Sequence, residues 1–200
     1  MVHYLLILIF FLNYNMNAEN LNSKAYFAGG CFWCVEECLE KSAGVSSVIS
    51  GYIGDEKEKP TYEKVSKHKL KYREAVLVNY DKSKISYQQL TADFLRCIDP
   101  TDSKGQFFDR GFIYEPVIFF ESENQKKSSL ALIKDLNKSK LFKKDAKVKL
   151  ENFSKFYQAE KYHQDYYKTN KQNYNNYKKG SGRADFINKY FKEFKFSFEN

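Results

Sequence analysis

The chain has 200 residues, of which 42% are hydrophobic and 18% aromatic, so it can bury a sizeable core and is too aromatic to be intrinsically disordered. Its 9 glycines and 3 prolines exclude collagen-like and Pro/Gly low-complexity chains, and 4 cysteines are too few for a disulfide scaffold. We therefore expect one compact domain.

The net charge of +8 is unevenly distributed along the chain. Residues 121–200 hold 19 lysines and arginines against 10 aspartates and glutamates, so the C-terminal part carries the positive charge. No base-reading or stacking motif accompanies these lysines. We interpret them as a solvated surface and expect no nucleic-acid partner.

The N-terminus has the pattern of a secretory signal peptide. Tyr4–Leu12 is an uninterrupted apolar run of nine residues, which is too short to span a membrane and suits the apolar region of a signal peptide. Cleavage after Ala18 would separate this leader (1–18) from a mature domain (19–200). Because no Lys or Arg precedes the run, it could instead be a buried element of the domain. Cleavage implies export to the periplasm or the medium, and its absence implies the cytoplasm.

Strands and helices alternate along the rest of the chain. β-Branched or alternating apolar residues predict strands at 24–28, 45–52, 73–80 and 117–120. Apolar residues three or four positions apart predict helices at 31–41, 86–97 and 123–137. The order β-α-β-β-α-β, with a further helix, is typical of an α+β two-layer sandwich with a ferredoxin-like core and an antiparallel or mixed sheet.

The C-terminal segment has no clear period. Residues 153–177 are rich in tyrosine, asparagine and lysine, and we expect an irregular chain that wraps over the core. Beyond it, Phe186, Tyr190 and Phe191 predict a last helix that docks through these aromatic side chains.

The reactive centre of the sequence is Cys31. It follows a strand and two glycines and opens a helix, where backbone amides and the positive helix end favour a thiolate. A helix end contributes only about 0.3–1 kcal/mol, less than one pKa unit, so an ordinary thiol would stay mostly protonated at neutral pH. A reactive Cys31 therefore needs a polarised substrate or a proton donor nearby. Cys34 lies three residues further on, close enough for thiol–disulfide exchange.

The other two cysteines are predicted to pack. Cys38 lies one helical turn after Cys34, and Cys97 lies at the end of another helix, so we interpret both as core residues. Structural zinc usually requires two short Cys/His pairs, whereas three of these cysteines crowd one helix. We expect neither a metal nor another cofactor.

A series of ordered motifs resembles the A-type peptide methionine sulfoxide reductases, in the variant with cysteine after Phe-Trp. The first motif is Gly30-Cys31-Phe32-Trp33-Cys34. The others, in chain order, are Gly51–Gly54, Pro60–Val65, Glu74–Val76, Asp99–Thr101, Asp109–Gly111 with Tyr114, and Phe156–Tyr166. The resemblance covers about residues 24–167, and the number of ordered motifs makes it specific.

This resemblance implies a reaction at the sulfur of methionine sulfoxide. Cys31 would attack that sulfur as the nucleophile. Glu74 would protonate the sulfoxide oxygen, which requires surroundings that keep its carboxyl neutral, as an aromatic-lined pocket does. Tyr62 and Tyr114 match the hydroxyl groups that hold the oxygen.

The remaining matching residues shape the substrate pocket. Phe32 and Trp33 match the apolar cage around the methyl group of the substrate, and Asp109 matches an acidic residue that orders the site. His163 has no metal partner or triad in the sequence, so we interpret it as structural or as a support for the site. The resemblance implies the S epimer of methionine sulfoxide, free or in proteins, as the substrate.

Turnover would leave Cys31 as a sulfenic acid, which a resolving thiol converts to a disulfide. Many family members carry resolving cysteines in a C-terminal tail, but no cysteine follows Cys97 here. Cys34 is therefore the first candidate and Cys38 the second, and direct reduction by an external thiol stays open. Thioredoxin or a similar dithiol would complete the cycle, and we expect a monomer.

Two other functions compete with this interpretation. A Cys-x-x-Cys pair after a strand is also typical of a general thiol–disulfide oxidoreductase, which would need no role for Glu74, Tyr62 or Tyr114. A non-catalytic basic module would instead use the lysine-rich C-terminal part in salt-sensitive binding. The carboxyl of Glu74 is therefore the residue that best separates the hypotheses.

Overall fold

The computed structural model describes residues 21–54 and 57–199. The predicted leader (1–18) lies outside these residues. Within the described part, no helix is both long enough and apolar enough to cross a membrane.

The described chain forms eight strands and seven α-helices, with three short 3₁₀ turns between or after them. In chain order they are β1 (Asn22–Ala28), α1 (Phe32–Leu39), β2 (Val45–Ile53), α2 (Tyr62–Ser66), β3 (Arg73–Asp81), α3 (Tyr87–Arg96), β4 (Gly105–Gln106), β5 (Asp109–Arg110), β6 (Val117–Phe120), α4 (Glu123–Lys138), β7 (Lys149–Asn152), β8 (Phe156–Gln158), α5 (Tyr166–Thr169), α6 (Lys171–Gly180) and α7 (Arg183–Phe191). The 3₁₀ turns are Phe112–Tyr114, Lys161–His163 and Ser197–Glu199.

The main sheet confirms the predicted α+β fold. Its strands follow the order β7-β6-β1-β3-β2-β8. Each of the four central strands, β6-β1-β3-β2, is antiparallel to the strand beside it in this order, and β7 is parallel to β6. Together with α1 and α3, which connect β1 to β2 and β3 to β6, they make the ferredoxin-like β-α-β-β-α-β unit.

The two faces of the sheet are buried differently. Phe27 of β1 belongs to the main core beneath α1 and α3 and stacks on Phe94 with ring centroids 4.6 Å apart. Its neighbour Tyr26 points to the opposite face, as alternation along a strand requires, and stacks on Phe153. The helices therefore cover one face, and the chain after β7 covers part of the other.

Three helices begin at a hydroxyl side chain that caps a backbone amide. The caps of α2, α3 and α4 are Thr61, Ser86 and Ser122, which accept from the amides three residues further on. Such a cap stabilises a helix by about 1 kcal/mol. Cys31, at the start of α1, makes no side-chain cap, so the first amides of this helix are left for another partner.

The C-terminal segment is more regular than its sequence predicts. Residues 153–177, expected to be irregular, contain β8, a 3₁₀ turn, α5 and most of α6. Strand β8 adds to the sheet edge by pairing with β2 through main-chain bonds, which do not need a side-chain period. The prediction of a last helix is confirmed by α7, whose Phe186 stacks on Phe142.

Cys38 and Cys97 pack in and against the main core as predicted, but sequence analysis did not predict that they form a disulfide with each other. The bond ties α1 to the end of α3 across 59 residues of chain. Spacing along a helix predicts which face a cysteine occupies, but not which distant cysteine it meets. Cys31 and Cys34 are free thiols, so Cys38 is not available as the resolving thiol in this state.

We expect removal of this disulfide to lower the free energy of unfolding by about 2–4 kcal/mol, because the cross-link restricts a long loop of the unfolded chain. Urea unfolding of a Cys38→Ala/Cys97→Ala variant, with and without reductant, measures the loss. Reductant should destabilise the wild type and leave the variant unchanged. A wild type with the same midpoint in both conditions would contradict the cross-link.

Candidate active site

The turn between β1 and α1 requires two glycines. A Cβ on Gly29 would lie 2.7 Å from Ile98, and one on Gly30 would lie 2.5 Å from Gln106. Gly30 also has φ of +82°, in the region that other residues rarely adopt. The backbone can therefore approach the core closely, and Cys31 is placed at the start of α1.

A backbone amide at the uncapped start of α1 binds the side chain of Glu74. The backbone amide of Phe32 donates to Oε2 of Glu74 at 3.1 Å, across 42 residues of sequence. Burial raises the pKa of the Glu74 carboxyl to about 8, and the negative charges of Asp109 and Cys34 act in the same direction, against the lowering effect of the Phe32 amide. The carboxyl is therefore protonated at neutral pH and can donate a proton.

The predicted site residues meet around a cavity of about 120 Å³. Its lining consists of Cys31, Phe32, Trp33, Tyr62, Glu74, Asp109, Tyr114 and Tyr177. Every residue that sequence analysis assigned to the site is in this set except Cys34, and Tyr177 is an addition. A thiol, two carboxyl groups and three phenols thus surround a space that fits only a small group.

Tyr62 and Tyr114 present protonated hydroxyls to the cavity. Burial raises the pKa of both phenols, and Glu74 raises it further once its carboxyl ionises at higher pH, so each phenol is a hydrogen-bond donor at neutral pH. Tyr62 is fixed by Glu160, whose Oε1 accepts from the Tyr62 amide at 2.8 Å and whose Oε2 accepts from the Tyr52 hydroxyl at 3.0 Å. The 156–166 motif therefore anchors α2.

Trp33 forms an apolar wall, and two residues of the same C-terminal motif orient it. Its ring stacks on Tyr166 with centroids 3.9 Å apart, and its Nε1 donates to Nδ1 of His163 at 3.2 Å. Burial lowers the pKa of His163 to about 4, so the imidazole is neutral and its Nδ1 is an acceptor. His163 thus acts through Trp33, in line with the supporting role expected from sequence.

Asp109 is held by Tyr177, a residue that sequence analysis missed. The Tyr177 hydroxyl donates to Oδ2 of Asp109. Burial raises the pKa of Asp109, whereas the Tyr177 bond and the charge of Arg183 lower it. Tyr177 lies on α6, a polar helix without a clear apolar period, so nothing in its surroundings distinguished it from the other tyrosines.

Cys31 and Cys34 form a buried thiol pair in the first turn of α1, where they are 5% and 2% exposed. A hydrogen bond from Cys31 lowers the pKa of Cys34 to about 7, and Arg183, Tyr174 and Lys178 contribute in the same direction. Burial raises the pKa of Cys31 well above its ordinary value. The hydrogen bond and these nearby groups therefore favour negative charge on Cys34 over Cys31, and Cys31 lines the cavity.

Comparison with known proteins identifies the family. A family profile described as peptide methionine sulfoxide reductase matches residues 23–195. The chain is 44% identical over 163 residues to the peptide methionine sulfoxide reductase MsrA 2 of Staphylococcus aureus strain Mu50, an alignment that covers 82% of this chain and 92% of that protein. It is also 44% identical over 168 residues to the MsrA/MsrB protein of Vibrio cholerae, but spans only 44% of that longer protein.

Solved structures share the fold. Mxr1 from Saccharomyces cerevisiae in reduced form matches with a TM-score of 0.69 and 26% identity, over 76% of this chain and 87% of that one. The same yeast protein in complex with Trx2 matches with a TM-score of 0.51 over 74% of this chain and 86% of that one, and at 19% identity it shows the fold alone.

These matches place the chain in a class of oxidoreductases. The chain belongs to the peptide methionine sulfoxide reductase family, and its resemblance to that family is confirmed.

We expect one of the two free thiols to ionise near pH 7 and the other well above its ordinary pKa. Ultraviolet thiolate absorbance, followed during a pH titration of the reduced protein, measures both transitions, since the Cys38–Cys97 disulfide does not titrate. Cys34→Ser should remove the transition near pH 7. A titration in which both thiols ionise together near their ordinary pKa would contradict the buried, hydrogen-bonded pair.

Proposed function

We propose that the chain reduces methionine sulfoxide to methionine by attack of Cys31 on the sulfoxide sulfur. The observation that carries this proposal is the shared cavity, in which the Cys31 thiol faces the protonated carboxyl of Glu74. A sulfoxide oxygen leaves poorly unless it is protonated. A neutral carboxyl beside a thiol supplies the nucleophile and the acid that this reaction needs.

The cavity orients the substrate. Phe32 and Trp33 contact the methyl group, and the hydroxyls of Tyr62 and Tyr114 donate to the sulfoxide oxygen. Glu74 gives its proton to that oxygen while Cys31 attacks sulfur, and the thiol proton of Cys31 restores the carboxyl. The attack forms an S–S bond between Cys31 and the substrate, whose oxygen is now a hydroxyl group. This hydroxyl then moves to the Cys31 sulfur while the S–S bond breaks, and the electron pair of that bond stays on the substrate sulfur. Methionine leaves, and Cys31 is oxidised to a sulfenic acid.

The small cavity favours the methylsulfinyl end of a side chain as the part that enters. A volume of about 120 Å³ leaves the rest of the substrate outside, which suits methionine sulfoxide at the surface of a protein as well as the free amino acid. The preference for the S epimer rests on family membership, and an epimer-resolved turnover assay tests it.

Cys34 is proposed as the resolving thiol. It lies in the same helical turn as Cys31, since its amide donates to the Cys31 carbonyl at 3.1 Å. The Cys34 thiolate attacks the sulfur of the Cys31 sulfenic acid, the S–S bond forms, and the oxygen leaves as water after protonation. A thioredoxin-type dithiol then reduces the disulfide. The complex of the yeast protein with Trx2 supports a reductant of this class.

Export is proposed for the mature domain (19–200), which would act as a monomer. The apolar run Tyr4–Leu12 supports a cleaved leader. The Cys38–Cys97 disulfide also supports an oxidising compartment, where such bonds persist. In that setting, reducing equivalents from thioredoxin would have to arrive through a relay.

A general thiol–disulfide oxidoreductase is the second candidate, and the acidic Cys34 favours it. Such an enzyme needs an accessible sulfur to attack the disulfides of other proteins. Here both cysteines are buried, and Cys31 lines the small cavity. Burial of the pair therefore favours a small substrate group.

Glu74→Gln should slow sulfoxide reduction by about 10²- to 10⁴-fold, because amide nitrogen is too weak an acid to protonate the oxygen. Since the active form is the protonated carboxyl, the wild-type rate should also fall as pH rises through about 8. Single-turnover release of methionine against pH measures both effects. Glu63→Gln, an exposed glutamate paired with Lys67, is the matched control and should behave as wild type. A fully active Glu74→Gln would mean that another group is the acid.

Cys34→Ser should release one methionine per enzyme and then stop when thioredoxin is the only reductant, because the sulfenic acid on Cys31 has no partner thiol. A burst assay, with peptide mapping of the oxidised protein, measures this. The wild type should show a Cys31–Cys34 disulfide, and the Cys38→Ala/Cys97→Ala variant should recycle normally. Continued turnover of Cys34→Ser at the wild-type rate would rule out this route.

A further inference from the structure

Arg183 is a buried cation that the proposed reaction has not used. It is the first residue of α7 and only 1% exposed, which places it among the largest fully buried side chains of the described residues. Gly182 before it has φ of +76° and turns the chain from α6 into α7. This sharp turn directs the arginine into the protein.

The guanidinium binds backbone carbonyls instead of carboxylates. Nη1 donates to the carbonyl oxygen of Cys97 at 2.8 Å, and Nη2 donates to that of Gly29 at 3.2 Å. The ring of Phe107 lies 4.7 Å from the guanidinium carbon. No carboxylate of the described residues lies within ion-pairing distance, and Nε has no hydrogen-bond partner among them. A buried charge of this kind is costly unless nearby negative charge offsets it.

The cation lies against the turn that carries the reactive thiols. A Cβ on Gly30 would come within 2.7 Å of Nη2, so the guanidinium touches the backbone immediately before Cys31. Its charge also acts on Cys34 and Asp109 and lowers the pKa of each. The acidic groups on which the charge of Arg183 acts therefore belong to the active site.

We propose that Arg183 is a positioning residue for the regeneration step: its buried cation holds the Gly29–Gly30 turn against the end of α3 and stabilises negative charge on Cys34. This inference rests on the proposed role of Cys34 as the resolving thiol. It assigns a function to α7, whose first residue contacts the Gly29–Gly30 turn and whose residues do not line the substrate cavity.

Charge on Cys34 is needed twice during regeneration. Cys34 first attacks the Cys31 sulfenic acid as a thiolate, and the sulfenic oxygen leaves as water. The thiolate of an external dithiol then attacks Cys31, which lines the cavity, and Cys34 leaves as a thiolate. The second external thiol attacks the mixed disulfide, so the external disulfide closes and Cys31 is released. A cation fixed beside Cys34 stabilises it as nucleophile and as leaving group.

Several groups besides Arg183 act on Cys34, so the test must isolate the arginine. These groups are Cys31 in the same turn, Glu74 on β3, and Tyr174, Tyr177 and Lys178 on α6. Arg183→Gln removes the charge and keeps a hydrogen-bond donor. Arg183→Lys keeps the charge but not the planar fork that reaches two carbonyls. Arg96→Gln removes an arginine of α3 that pairs with Asp93 and Glu199, and it is the matched control.

The experiment follows two steps separately in the full protein. The first is the amplitude of methionine release in a single turnover with methionine sulfoxide, and the second is the rate of Cys31–Cys34 disulfide formation from pH 5 to pH 9. Arg183→Gln should keep an amplitude of one methionine per enzyme. Disulfide formation at pH 7 should be roughly tenfold slower, with its pH profile moved to higher pH, because a smaller fraction of Cys34 is thiolate. Arg96→Gln should keep the wild-type profile.

Arg183→Lys separates the effect of the positive charge on Cys34 from the effect of the side chain on protein stability. It should unfold at lower urea concentration than the wild type and still keep the wild-type pH profile, which a merely structural role does not require. A wild-type profile for Arg183→Gln, or a lysine variant shifted as far as the glutamine variant, would overturn the proposal. If Arg183→Gln fails to fold, the pH profile of Arg183→Lys decides: a profile like that of the wild type supports the proposal, and a profile shifted to higher pH overturns it. Failure of the wild type to release methionine would instead overturn the proposed function.

Discussion

The hydrogen bond from the Phe32 amide to Glu74 joins the two elements on which the site depends. It brings the start of α1 against β3 and fixes the carboxyl beside the Cys31 thiol at a depth where ionisation is unfavourable. Burial alone would keep the Glu74 carboxyl protonated but would not fix its orientation. The amide fixes one carboxyl oxygen at the wall of the cavity, and burial outweighs the lowering effect of this bond on the pKa, so Glu74 is both positioned and protonated.

The sheet supplies the rigid part of this arrangement, and the C-terminal segment completes it. β1 and β3 are paired neighbours in the middle of the sheet, so the thiol turn and the carboxyl are held by main-chain bonds. Residues far along the chain then close the site: His163 and Tyr166 orient Trp33, and Tyr177 orients Asp109. Loss of regularity in that segment would leave the catalytic pair in place but remove the walls around it.

The cavity lining was largely predictable because its residues lie in ordered motifs with distinctive local chemistry. The pattern Gly-Gly-Cys before a helix predicts a tight turn, and alternation along β3 predicts a buried strand around Glu74. The resemblance supplied the roles that spacing alone does not define, such as those of Tyr62 and Tyr114.

Other features depend on tertiary distances that the sequence does not encode locally. The pairing of Cys38 with Cys97 requires the end of α3 to lie beside α1, and each cysteine separately has the pattern of a core residue. Tyr177 and Arg183 belong to a polar, lysine-rich region whose helices have few apolar positions, so neither stood out. Arg183 is buried because backbone carbonyls accept its hydrogen bonds, and no sequence pattern indicates that environment.

The most direct test of this account is the protonation state of Glu74 in the resting enzyme. Carboxyl infrared or carbon NMR signals, titrated in the wild type and assigned by their loss in Glu74→Gln, measure its pKa. We expect a carboxyl that is still protonated at pH 7 and titrates near pH 8. A Glu74 that ionises near the ordinary pKa of about 4.3 for glutamate would contradict the proposed acid and the chemistry built on it.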